Sequence, residues 1–166
     1  VYLNSGAREE SLKHESLLDY RYIHFATHGL IEEAVPFRSG IVLSMGNDSV
    51  EDGILQMNEI LNLKLNADMV VLSACQTARG KLFKGEGIVG IARAFLYAGA
   101  SSVTVCLWNI NDRTTADFMK TFYSGLVQGA DKARALQQAK LSMIHSATKA
   151  YKHPYYWAPY IVIGNY

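Results

Sequence analysis

Apolar residues recur along the chain in two periods, and together they divide it into strands and helices. Residues 69–75, Met69-Val70-Val71-Leu72-Ser73-Ala74-Cys75, form the clearest run, nearly continuous in apolar side chains. A strand covered on both faces reads this way. Residues 102–108 repeat the pattern, and shorter stretches at 21–26, 40–44 and 160–163 read as further strands. Elsewhere the spacing turns helical. Ile88, Ile91, Ala92 and Phe95 share one helical face, and Gly99 sits where such a helix would end. A helix capped by Thr114 is expected to reach about Leu126, with Gly129 breaking it. Leu136, Ala139, Met143, Ile144 and Ala147 mark another amphipathic helix, and 57–61 a short one. Polar clusters at 27–29, 46–49 and 109–112 read as turns, and 77–85 as a loop. Strand–helix alternation with apolar strands predicts an α/β fold built on a mostly parallel sheet.

Composition narrows the function classes. A chain of 166 residues fits one domain, and 49% apolar with 19% charged residues is the balance of a packed globular protein. The formal net charge of +1 offers no basic excess for nucleic acid or anionic lipid. No apolar stretch approaches the roughly 20 residues needed to cross a bilayer. Cys75 and Cys106 are the only cysteines, which is no disulfide framework and fits a reducing, cytoplasmic setting. The chain opens on Val1, so it is expected to be an excerpt of a longer protein.

Reactive side chains collect beyond the C-terminal ends of strands in open α/β sheets. Two such ends matter here. The strand ending at Ala26 delivers His28, and the one ending at Cys75 delivers a thiol. A thiol attacks carbonyls as thiolate, and a neighbouring imidazole supplies the base. Gly29 leaves its backbone N–H unobstructed, as an oxyanion donor must be. Cys106, flanked by Val105 and Leu107 inside a strand, reads as packing. His24 reads as a satisfied core or helix-facing histidine, and His14, His145 and His153 as surface or packing residues. No C-x-x-C pair suggests a structural metal, and no G-x-S-x-G suggests a serine nucleophile. Gly85-Glu86-Gly87-Ile88-Val89-Gly90 has dinucleotide-loop spacing but follows a charged loop and not a strand. It reads as a tight loop entering a helix, and no metal or cofactor is expected.

Four segments in order resemble the CHAT domain: His24-Phe25-Ala26-Thr27-His28-Gly29, then Val71-Leu72-Ser73-Ala74-Cys75-Gln76-Thr77, then Gly85-Glu86-Gly87, then Leu107-Trp108-Asn109-Ile110-Asn111-Asp112. That family is caspase-like, grouped with caspases, separases and gingipains, and often follows tetratricopeptide repeats in bacterial proteins. The resemblance runs from about Glu10 to the C-terminus and takes in Trp157-Ala158-Pro159-Tyr160-Ile161-Val162-Ile163-Gly164 as a closing strand. His28 precedes Cys75 by roughly 50 residues, as the histidine does in the caspase signature. The residues flanking Cys75 depart from that signature, so aspartate specificity is not implied.

The resemblance implies a caspase-like three-layer sandwich, with residues 1–166 forming a CHAT peptidase domain. This domain is expected to lack the family's first strand, which would leave a sheet edge open, and all upstream repeats. It implies a cysteine endopeptidase with Cys75 as nucleophile and His28 as base and acid. The backbone N–H groups of Gly29 and Cys75 would form the oxyanion hole. Asp112, with Trp108 as a wall, would line a pocket for a basic P1 residue; alternatively Asp112 caps the helix that follows. The partners implied are a protein substrate and an upstream repeat domain, in a regulated signalling or defence pathway. Direct nucleic-acid and membrane contacts are not expected. Two other readings are a catalytically silent scaffold and small-molecule acyl transfer by the same pair. The 77–85 loop, with Arg79, Lys81 and Lys84, reads either as an activation loop or as an ordinary solvated one.

Overall fold

A computed structural model describes every residue except 33, 47–50, 74, 77–85 and 166; at 75, 76 and 86 it describes the backbone. The main sheet consists of β1 (Tyr22–Phe25), β5 (Met69–Leu72), β7 (Ser102–Cys106) and β8 (Tyr160–Gly164), side by side in that order. The first three run parallel, and β8 returns antiparallel to β7. A second, smaller sheet contains β2 (His28–Leu30), β3 (Gly40–Val42), β4 (Ile54–Gln56) and β6 (Cys75–Gln76), in the order β4-β3-β2-β6. Its pairings are antiparallel except β2 with β6. The helices are α1 (Glu9–His14), α2 (Met57–Ile60), α3 (Glu86–Tyr97), α4 (Asp112–Val127) and α5 (Lys132–Ile144).

Alternation along β5 explains why helices cover both faces. Val70 and Leu72 belong to a core shared with Ile88, Ile91 and Phe95 of α3. Met69 and Val71 belong to a second core with Phe118 and Phe122 of α4 and Ala139 of α5. All four β5 residues are fully buried. β7 divides likewise, Val103 and Val105 facing α3 while Cys106 faces α4 and α5. Phe118 stacks on Tyr160 of β8 at 3.8 Å, and the Tyr160 hydroxyl donates to Thr115 Oγ1 at 3.0 Å. Each fully buried aromatic contributes on the order of 1.5–3 kcal/mol. The result is the mixed α/β architecture expected, a mostly parallel central sheet between helices. Among the described residues, no helix is long and apolar enough to cross a membrane.

Local chemistry sets the element ends. Asn111, and not Thr114, caps α4: its side chain accepts from the Thr114 N–H at 2.9 Å, while Thr114 itself is buried. Asp131 caps α5 by accepting from the Arg134 N–H at 2.7 Å. Gly99 ends the α3 turn at φ +114°, where a Cβ would sit 2.2 Å from the Leu65 carbonyl oxygen.

Four further expectations are corrected. The run 69–75 is not one strand: β5 ends at Leu72, and the chain resumes as β6 in the other sheet. Residues 27–29 are not a turn, because His28 opens β2. Gly87 and Gly90 lie within α3 and not in a loop that precedes it, while Gly85 lies outside the described residues. The 109–112 turn stops one residue early, since Asp112 already belongs to α4. The sequence reading also passed over α1 and β4. The turn at 46–49 and the loop at 77–85 fall almost wholly outside the described residues.

Gly40 allows β3 and β4 to approach, since a Cβ there would lie 2.3 Å from the Leu55 carbonyl oxygen. Gly40→Ala is therefore expected to cost about 1–3 kcal/mol in urea unfolding. Gly6→Ala, whose Cβ meets nothing within 4 Å, should stay within about 0.5 kcal/mol of the parent.

Candidate active site

Two neighbouring strands leave the main sheet together. β1 ends at Phe25, crosses Ala26 and Thr27, and re-pairs as β2; β5 ends at Leu72, passes Ser73, and re-pairs as β6. In the second sheet the two are parallel, with Cα partners His28↔Cys75 and Gly29↔Gln76. Adjacent strands lie about 4.8 Å apart. The fold therefore brings positions 28 and 75 alongside each other, on backbone belonging to a sheet. Thr27 holds the crossing from the other side, its hydroxyl donating to the Val42 carbonyl at 2.5 Å. His28 is exposed, and Gly29 is buried between β3 and β6. The Cys75 side chain lies outside what is described.

Just below the crossing sits a polar cluster that sequence reasoning missed as a unit. His24 Nε2 lies 2.7 Å from Ser73 Oγ, and the Tyr123 hydroxyl lies 3.0 Å from His24 Nδ1. Ser73 also binds the end of β1, its N–H donating to the Phe25 carbonyl at 3.2 Å and its hydroxyl reaching the same oxygen at 3.4 Å. His24 thus faces α4 with both ring nitrogens engaged, as a helix-facing histidine was expected to be. As a residue it keeps an exposed flank, yet packing around the ring pushes its pKa below the usual value. Burial likewise pushes Tyr123 up to about 12, so its phenol stays protonated. Tyr123 carried no local signal; it is an ordinary aromatic on an amphipathic helix.

The proposed pocket residues lie past the end of β7. Trp108 is half-buried, its indole N–H donating to the Tyr155 carbonyl at 2.9 Å with the two rings 6.3 Å apart. The Tyr155 hydroxyl donates in turn to the Asn109 carbonyl at 2.6 Å. Asp112 is exposed and is the first residue of α4, so the capping role belongs to Asn111 and not to Asp112. Cys106 is buried with its sulfur 3.0 Å from the Trp108 carbonyl oxygen, in keeping with packing.

The described residues include one convergence of acidic groups. Glu9, Glu51 and Glu59 approach one another, but Lys13 Nζ lies 2.6–2.7 Å from all three. Burial opposes the Lys13 charge, and its hydrogen bonds to Glu51, Glu59 and Glu9 outweigh it, raising the pKa. Burial raises Glu9. An ammonium already occupies the place a cation would take. His24 and His28, though four residues apart, belong to different sheets.

The CHAT domain family model matches residues 1–165. Tetratricopeptide repeat protein 28 of Mus musculus is 37% identical over 112 residues, 68% of this chain. The Homo sapiens protein of the same name is 34% identical over 116 residues, 70% of this chain. The matched part is 4% of the mouse protein and 5% of the human one, so the comparison concerns a small portion of each.

Because the folded chain holds His24 below its usual pKa, protonation favours the unfolded state. The stability that the neutral ring contributes is present above about pH 6.5 and is lost as pH falls through the folded-state value. His24→Gln removes that titration, so urea midpoints measured from about pH 7 to pH 5 should fall less steeply than in the parent.

Proposed function

Since the chain belongs to the CHAT domain family, we propose that it is a cysteine endopeptidase in which Cys75 attacks a peptide carbonyl and His28 serves as base and acid. The observation that carries this reading is the His28↔Cys75 register across two parallel strands. A sheet fixes such a pair more tightly than two loops would, and positioning to within an ångström decides rates in acyl transfer. The exposure of His28 supports the same reading, because a substrate has to reach the site.

The chemistry follows from that pair. The Cys75 thiolate adds to the scissile carbonyl, forming a carbon–sulfur bond and a tetrahedral oxyanion. Backbone N–H groups of Gly29 and Cys75 accept that charge by donating hydrogen bonds. His28 gives a proton to the leaving amine as the carbon–nitrogen bond breaks, leaving a thioester. Water, deprotonated by His28, then attacks the thioester and releases the carboxylic acid and the thiol.

Asp112 and Trp108 form the proposed P1 contact. An exposed carboxylate relieved of capping duty is free to receive a basic side chain by a charge-assisted hydrogen bond. Trp108, clamped by Tyr155, would offer a fixed wall for the same side chain. The substrate is a protein partner, and repeats like those for which the two mammalian relatives are named would present it. The pathway is a regulated signalling or defence one, with the enzyme in the cytoplasm.

Cleavage of a peptide library by the full-length protein tests this. Cys75→Ala should abolish turnover, and His28→Ala should lower kcat/KM at least about a hundredfold. Equal cleavage by the parent and Cys75→Ala would withdraw Cys75 as the nucleophile, and a library left uncut by the parent would leave the domain as a non-catalytic interaction module. Asp112→Ala should remove cleavage after Arg and Lys; unchanged cleavage there would withdraw Asp112 from the pocket.

A further inference from the structure

We infer that His24, held by Tyr123, is a positioning residue that acts through Ser73 to fix the strand crossing leading to Cys75. This rests on the reading of Cys75 as nucleophile. The β1–β5 ladder has its last register pair at Phe25↔Leu72. Beyond it both chains must leave the main sheet and meet again with position 28 opposite position 75. A slip of one residue at the crossing would reverse which positions share a face of the second sheet. Ser73 stands at that junction, two residues before Cys75, and is buried.

The hydrogen bonds around Ser73 form a directed chain. Its hydroxyl reaches the Phe25 carbonyl, which can only accept, so Ser73 Oγ is the donor there. The same oxygen then accepts from His24 Nε2–H, which leaves Nδ1 as an acceptor for the Tyr123 hydroxyl. One neutral tautomer satisfies these three contacts together. The depressed pKa of His24 and the raised pKa of Tyr123 agree with it. The chain runs from α4, across β1, into the first residue after β5. It ties the helix layer to the crossing that carries the proposed nucleophile. His24 itself touches no reacting atom; its effect passes through Ser73.

Peptide-resolved alkylation by iodoacetamide in the full-length protein provides the test, with Cys106 as the buried reference thiol. His24→Leu removes both hydrogen bonds and should slow Cys75 alkylation about ten- to hundredfold, with peptide turnover falling in kcat and not in KM. His24→Gln keeps a donor where Nε2 stands and should recover most of the rate. Tyr123→Phe keeps the ring, loses the hydroxyl, and should fall between them. Wild-type rates at Cys75 in a folded His24→Leu protein would overturn the inference. So would a His24→Gln protein no better than His24→Leu. If His24→Leu fails to fold, His24→Gln and Tyr123→Phe decide: parental alkylation and kcat in Tyr123→Phe overturn the role of its hydroxyl. Should Cys75 of the parent react no faster than Cys106, the peptidase reading fails first, which is a separate outcome.

Discussion

Val70 and Leu72 enter one half of the core, and Met69 and Val71 enter the other, so β5 cannot slide by one residue without exchanging its two faces. That constraint fixes where β5 ends, and therefore where the chain crosses to the second sheet. β1 is locked to the same register through Phe25, which packs with Phe95 at 5.5 Å. Two strands locked at the same level in one sheet emerge at the same level in the next. The alignment of positions 28 and 75 is thus inherited from the burial of apolar side chains several residues upstream.

The second sheet has little core of its own. Among its described side chains Ile41 and Leu55 are the deepest, and they join the α3 core. Short strands of two or three residues hold their register when something else fixes their ends. Here Thr27 binds β3, Ser73 binds β1, and the Lys13 carboxylate cluster draws α1, α2 and the segment before β4 together. Most of these contacts are polar and stand on the apolar scaffold. The proposed site would benefit from that division, because polar groups at the rim set direction while the core supplies stability.

Much of the scaffold was legible in the sequence because it rests on period and burial. The apolar runs around Val70 and Val103, and the helical faces around Phe95 and Ala139, announce themselves locally. The family motifs around His28 and Cys75 drew attention to the two positions that the register pairs. The sheet crossing was not legible, since Thr27 and Ser73 carry no periodic signal and strand exchange depends on partners far along the chain. The cap of α4 was misassigned because Asn109-Ile110-Asn111-Asp112-Arg113-Thr114-Thr115 offers several side chains able to cap. Burial of Ile110 and Thr114 selects Asn111. The His24–Tyr123 contact spans 99 residues, beyond the reach of any local pattern.

A crystal structure of the full-length protein, with the strand after Ser73 resolved to its side chains, addresses the central claim most directly. The result expected is Cys75 Sγ and the His28 imidazole on the same side of the second sheet, within hydrogen-bond reach or slightly beyond it in the unliganded state. A sulfur turned to the opposite face, or separated from the imidazole by packed apolar side chains, would contradict it.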